Sequence, residues 1–283
     1  MSDDGLGLII SDDHEATING FDAVPLTFRV KDLSSVPAAW ESPIEVMNQG
    51  QSYSCAGHAG AANFTHRQYV ETGEAVKYSP WFSYITSQRA SKQFFGRDGG
   101  TSIKSVIDAA TLDGCCLESM CARPSRYSTT LTQDAVRDAA AHKHVGGVVD
   151  LRDWDTVIDW LTDRRSVVIG TRWYSTQSNV RDIETKALGS GGSFRGYHAR
   201  ALIGWATING VISPRVLNSH GSGWGTNGRA TIERELWDDV WRRDNSFFAL
   251  GFTDINERIP ARRDWTDFQW TGGGVPDWVG GQS

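Results

Sequence analysis

The stretch from Ser54 to Ala62 reads Ser-Cys-Ala-Gly-His-Ala-Gly-Ala-Ala and opens a helical pattern that runs to Val70. Small side chains let a helix lie close against its neighbours. A run this dense in Ala and Gly therefore predicts a buried central helix. Gly73 is its expected stop. Gly57 and Gly60 cost about 1 kcal/mol each against Ala, so either close packing or a functional need for room has to account for them.

Around that helix the patterning changes once along the chain. Ser79 as N-cap and Pro80 at the first helical position predict a second helix. Gly99-Gly100-Thr101-Ser102 precedes a third, with Ile103, Val106, Ile107 and Ala110 on one face. A weaker fourth is expected near Gln133 to Ala141. Beyond residue 142 the pattern becomes strand-like, at Val145 to Leu151 and Ser166 to Gly170, with a helix over Asp153 to Thr162 between them. Ala199 to Trp205 and Val211 to Leu217 form an apolar pair joined by Thr207-Ile208-Asn209-Gly210, a hairpin signal. Arg229 to Glu233 and Phe247 to Phe252 add further strands. The expected organisation is a lead-in over 1–40 with strand-like stretches at Leu8-Ile9-Ile10 and Phe28-Arg29-Val30, a helical part over 41–141, a β-rich part over 142–255 and a tail over 256–283. Trp265, Trp270 and Trp278 lie along that tail, which reads as a surface strap or a partner contact.

Charge and composition narrow the function classes. The net charge is −6, and no Lys/Arg run exceeds two residues. That speaks against a nucleic-acid partner. No apolar run is long enough to span a bilayer, and the acidic start lacks the features of a secretory signal. Cys115, Cys116 and Cys121 cluster, but with no second pair or nearby His they make a poor zinc pattern. Free thiols are expected, and neither a metal nor a cofactor is implied.

Three distant segments together carry nucleophilic chemistry. A Cys is a useful nucleophile only with a base, an orienter for that base and donors for an oxyanion. Cys55 sits at the helix start, where free N–H groups and the helix dipole favour a thiolate. Gln49, six residues earlier, can aim its amide back at the thiol. With the Cys55 N–H it makes a two-donor oxyanion hole. His198 begins an apolar strand after the loop-like run Gly191 to Gly196, which places its ring at a rim. Asn218 closes the next strand of the same hairpin and can reach the far ring nitrogen of His198.

Over roughly residues 36 to 255 the chain resembles the papain-like cysteine peptidases. Val46-Met47-Asn48-Gln49-Gly50 is similar to the family's oxyanion segment and Tyr197-His198-Ala199 to its histidine motif. Leu217-Asn218-Ser219-His220-Gly221-Ser222-Gly223-Trp224-Gly225 is similar to its asparagine block. The resemblance implies an α+β fold with a helical left half, a β-barrel-like right half and the active site in the cleft between them. It implies catalytic Cys55, His198, Asn218 and Gln49, with Gly99, Gly100 and Tyr197 binding substrate, and a peptide or protein as that substrate.

The chain also departs from the family pattern. Ser52 stands where the family places a disulfide-forming Cys, which leans toward a reducing compartment or a bacterial or viral branch. Ala56 and His220 stand where it places aromatics, and a polar His220 is expected to screen the Asn–His bond less well. Residues 1–35 leave no room for the family's pro-domain of about a hundred residues. Two other readings use the same residues: a non-catalytic binding module of a larger assembly, and a papain-fold acyltransferase or amidase.

Overall fold

The computed structural model describes residues 6–9, 33–92, 94–144, 148–178, 192–242 and 247–252. The first helix, α1 (Cys55–Thr72), ends at Gly73, which adopts φ 80° and donates its N–H to Tyr69 O. Every residue from Cys55 to His66 is buried, as expected of a small-residue central helix. Close packing accounts for its glycines. A Cβ on Gly57 would lie 2.7 Å from both Pro80 O and Tyr84 Cβ, and one on Gly60 would lie 2.5 Å from Val106 Cγ1. Those contacts come from α2 (Pro80–Ser91) and α3 (Ile103–Leu112). Both helices start as their sequences predict. Ser79 Oγ accepts from Phe82 N at 2.9 Å and Ser102 Oγ from Ser105 N at 3.1 Å. The weaker helix is present as α4 (Gln133–Ala140), capped by Thr132.

The remaining elements are β1 (Ala39–Glu41), β2 (Val148–Asp150), α5 (Trp154–Thr162), β3 (Val167–Tyr174), β4 (Phe194–Ile208), β5 (Val211–Leu217), β6 (Arg229–Thr231) and β7 (Phe248–Phe252). They form an antiparallel sheet in the order β2-β7-β3-β4-β5-β6, with β1 also paired to β4. The β4–β5 hairpin turns through Asn209 and Gly210, both at positive φ, as an Asn-Gly turn requires.

Several expectations on this side need correction. β3 and β4 are longer than their apolar cores. Arg172 to Tyr174 pairs with Phe194 to Tyr197, so the run expected to be a loop up to Gly196 is strand from Phe194 onward. Backbone pairing there outweighs the loop-like composition. The lead-in is also part of the sheet, since Ala39, Trp40 and Glu41 pair with Ala206, Trp205 and Gly204. Leu8 makes only an isolated parallel bridge to Thr101 instead of a strand. Leu236–Trp241 forms a π-helical turn that the sequence did not suggest. The Phe28–Val30 stretch, residues 145–147 and the tail over 256–283 lie outside the described residues. All four cysteines are free thiols.

Side-chain alternation on β4 ties the two halves together. Ala199 packs in one cluster with Cys55, Ala56, Ala59 and Ile103 from the helices. Leu202 faces the other way, into a cluster rich in tryptophan with Ile169, Trp160 and Trp173. The helical side and the sheet therefore share a core across β4.

Candidate active site

Asn218 follows directly on β5, whose Leu217 pairs with Ala201 of β4. Alternation then puts Asn218, Arg200 and His198 on one face. His198 Nε2 and Asn218 Oδ1 are 2.7 Å apart, and both residues are buried, so the His198 ring expected at a rim lies inside the fold. Asn218 Oδ1 also accepts from Ser219 N at 2.9 Å, so the Asn oxygen is held in place. His198 Nδ1 is buried with no hydrogen-bond partner. With Nε2 taken by Asn218, Nδ1 is the nitrogen left to exchange a proton.

Gln49 is buried and locked to the same loop. Its N–H donates to Ser219 O at 2.8 Å, and its Oε1 accepts from Ser219 Oγ at 2.5 Å. Its Nε2 donates to Ser52 O at 2.8 Å. Asn48 bridges His220, and Gly221 N donates to Met47 O at 3.1 Å. Arg123 donates to Gln49 O. The loops carrying Gln49 and Asn218 are thus stitched together by backbone bonds, a link that neither motif predicts.

Cys55 opens α1 beside β4 and is fully buried. Burial pushes its thiol up, against backbone hydrogen bonds from Ala199, Gly7, Ala56 and its own residue that favour the thiolate. His198 is pushed well below the usual histidine range, first by burial and then by the charges of His220 and Arg200, while the Asn218 bond raises it. The helix start does supply thiolate-favouring donors, as expected. Burial nevertheless outweighs them, and both shifts disfavour the thiolate–imidazolium pair in this closed arrangement.

The burial has an identifiable source. Residues 6–9 cross the cleft between the halves. Leu8 N donates to Tyr197 O at 3.4 Å on the sheet side. On the helical side, Ile9 N donates to Thr101 O at 3.0 Å and Thr101 N to Gly7 O at 2.9 Å. Leu8 is buried in the cluster that holds Cys55 and Ala199. Gly7 is packed so closely that a Cβ there would sit 1.8 Å from Tyr53 O. The Gly7 backbone also reaches the Cys55 thiol itself. Tyr197 meets this segment through its carbonyl. Gly100 lies against Gly7, where a Cβ would fall 2.1 Å from the Gly7 oxygen. Gly99 packs on Phe94 instead. Thr101, which the sequence did not single out, makes the backbone pairing.

Three rings lie near His198, of which the sequence pointed only to His220. Trp173 meets it edge-on with centroids 4.5 Å apart, and His220 stacks on it at 4.8 Å with planes 20° apart. His58, one turn into α1, hydrogen-bonds Ser54 O at 3.0 Å, and burial holds its ring neutral with a pKa of about 4. Only the β3 register, which sets Trp173 opposite Gly196, could have placed that indole. Among the described residues, no group of side chains could hold a metal ion.

No protein-family model matches this chain, and no curated protein matches it in sequence. Solved structures do. Xylellain, a cysteine protease from Xylella fastidiosa, superposes with a TM-score of 0.69 at 17% identity, over 90% of this chain and 97% of that one. Procathepsin B S9 from Trypanosoma congolense gives 0.64 at 16% identity, over 89% and 87%. Digestive procathepsin L 3 of Tenebrio molitor gives 0.60 at 16% identity, over 84% and 77%. At these identities the likeness is one of fold. The chain has the papain-like α+β fold.

Proposed function

We propose that this chain is a cysteine peptidase of the papain-like kind, acting on peptide or protein substrates. The observation that carries the reading is the 2.7 Å bond from His198 Nε2 to Asn218, which leaves Nδ1 unpartnered on the residue next to Ala199, which packs with Cys55. In the reaction, Nδ1 takes the Cys55 proton and the sulfur attacks the carbonyl carbon. The oxyanion accepts hydrogen bonds from the Cys55 N–H and Gln49 Nε2. The imidazolium then protonates the leaving amine, and water, activated by the same ring, hydrolyses the thioester. Asn218 keeps the ring in the tautomer and orientation this needs.

Residues 6–9 make the described state the latent one. A substrate reaches Cys55 only once that segment leaves. Its departure readmits water and so relieves the burial that disfavours the ion pair. Tyr197, Gly100 and Thr101 then present to a substrate backbone the groups they now present to Gly7, Leu8 and Ile9.

The test is labelling with a thiol-directed epoxysuccinyl probe alongside hydrolysis of a broad peptide library. Cys55 is expected to be modified ahead of Cys115, Cys116 and Cys121, and Cys55→Ser to abolish both signals. Even labelling of all four cysteines with no amide cleaved would overturn the reading. Transfer of the acyl group to an amine instead of water would move the activity to an acyltransferase on the same thioester.

A further inference from the structure

Two residues beyond His198, on the same face of β4, Arg200 lies in the tryptophan-rich interior of the sheet. It is 1% exposed. Nη2 donates to Thr171 Oγ1 at 2.5 Å, while Nε and Nη1 are buried with no hydrogen-bond partner. Its guanidinium carbon stands 5.5 Å from the Trp173 ring and 5.1 Å from the Trp241 ring. Burying a cation this way is costly unless an anion compensates it. Among the described residues no carboxylate pairs with it. The ionisable group that favours its charge is Cys55, and even so burial drops its pKa to about 9. Val, Leu or Met would fill the same apolar space without that cost, so packing alone does not explain an Arg here.

The geometry points to Arg200 as a positioning residue for the catalytic pair, a fixed buried cation that compensates the Cys55 thiolate and opposes charging of His198. This inference rests on the peptidase reading of Cys55 and His198. Trp173 connects the parts, since its ring meets both the His198 ring and the Arg200 guanidinium. A fixed positive charge lowers the midpoints of thiol and imidazole together. Among the described residues His198 would otherwise be the thiolate's one counter-charge, so with Arg200 in place the thiolate persists even where the imidazole is neutral. The other groups acting on His198 are His220, stacked on it, and His58 from α1, both of which also disfavour its charge, and Asn218, whose hydrogen bond favours it. Backbone hydrogen bonds from Ala199, Gly7, Ala56 and Cys55 favour the thiolate.

The experiment titrates the full chain beside Arg200→Met, Arg200→Gln and Arg200→Lys. Cys55 is followed by the ultraviolet absorbance of its thiolate, with Cys55→Ser as the blank, and His198 by NMR of its ring nitrogens. In the Met and Gln variants both midpoints are expected to rise together, by about half a unit or more. The Lys variant is expected to keep most of the native values, and the Met variant to melt no lower than the parent. Unmoved midpoints in either uncharged variant that folds would overturn the inference. Failure of both to fold would do so as well, because the guanidinium would then be structural. Neither readout needs turnover. Peptide hydrolysis with unmoved midpoints sinks this inference alone, and moved midpoints without hydrolysis sink the peptidase reading alone.

Discussion

The indole of Trp173 stands edge-on to the His198 ring, at an interplanar angle of 62°, and also meets His220 at 5.2 Å. His220 occupies the sequence position where an aromatic was expected to shield the Asn–His bond. Trp173 on β3 brings an aromatic ring against His198 instead. Trp173→Leu should therefore lower kcat/KM roughly tenfold, in line with about 1.4 kcal/mol lost from one weakened hydrogen bond. KM should change little. Steady-state kinetics on a folded variant decide it, and native kcat would assign the shielding to His220 after all.

Gly7 is fixed by the carbonyl of Tyr53, which leaves no space for a side chain. Gly7→Val should prevent residues 6–9 from seating while leaving the core of the fold intact. Alkylation of Cys55 should then accelerate by about tenfold or more, as a buried thiol becomes an exposed one. An unchanged rate would mean that the segment does not control access.

Gly57 touches Pro80 O and the Tyr84 side chain at distances a Cβ cannot share. Gly57→Ala gains helix propensity but overpacks α1 against α2. The net result should be a loss of about 1–3 kcal/mol in denaturant unfolding. Stabilisation instead would show that α2 can shift at little cost.

His66 is buried and neutral, with Nδ1 2.8 Å from Ser42 Oγ and Nε2 2.9 Å from Arg164 O. Burial lowers its pKa from 6.5 to about 4. As pH falls through 6.5 the unfolded chain takes up a proton that the folded chain refuses until about pH 4. The stability that neutral His66 contributes is thus complete above 6.5, shrinks between 6.5 and 4, and is constant below. Comparison with His66→Gln cancels other titrating groups. The stability difference should narrow by roughly 3 kcal/mol across that window. A difference independent of pH would show that the ring protonates freely in the folded state.

Much of the fold is legible from local chemistry. The caps Ser79 and Ser102, the stop at Gly73 and the Asn209-Gly210 turn act within a few residues of themselves, so the sequence places them to within a residue or two. The hairpin likewise implies that Asn218 can reach His198, because its short turn fixes the register.

What the sequence determines is the set of candidate reactive groups and the elements that carry them: Cys55 at a helix start, His198 and Asn218 on one hairpin, and Gln49 in the preceding turn. Tertiary structure decides their state. Residues 6–9 cover the thiol, Trp173 reaches His198 from β3, and Arg200 has no carboxylate partner among the described residues. Each depends on chain segments far apart in sequence that meet only in the assembled core. Burial and the sum of surrounding charges set the protonation of Cys55 and His198, and neither is a property of any local stretch of chain.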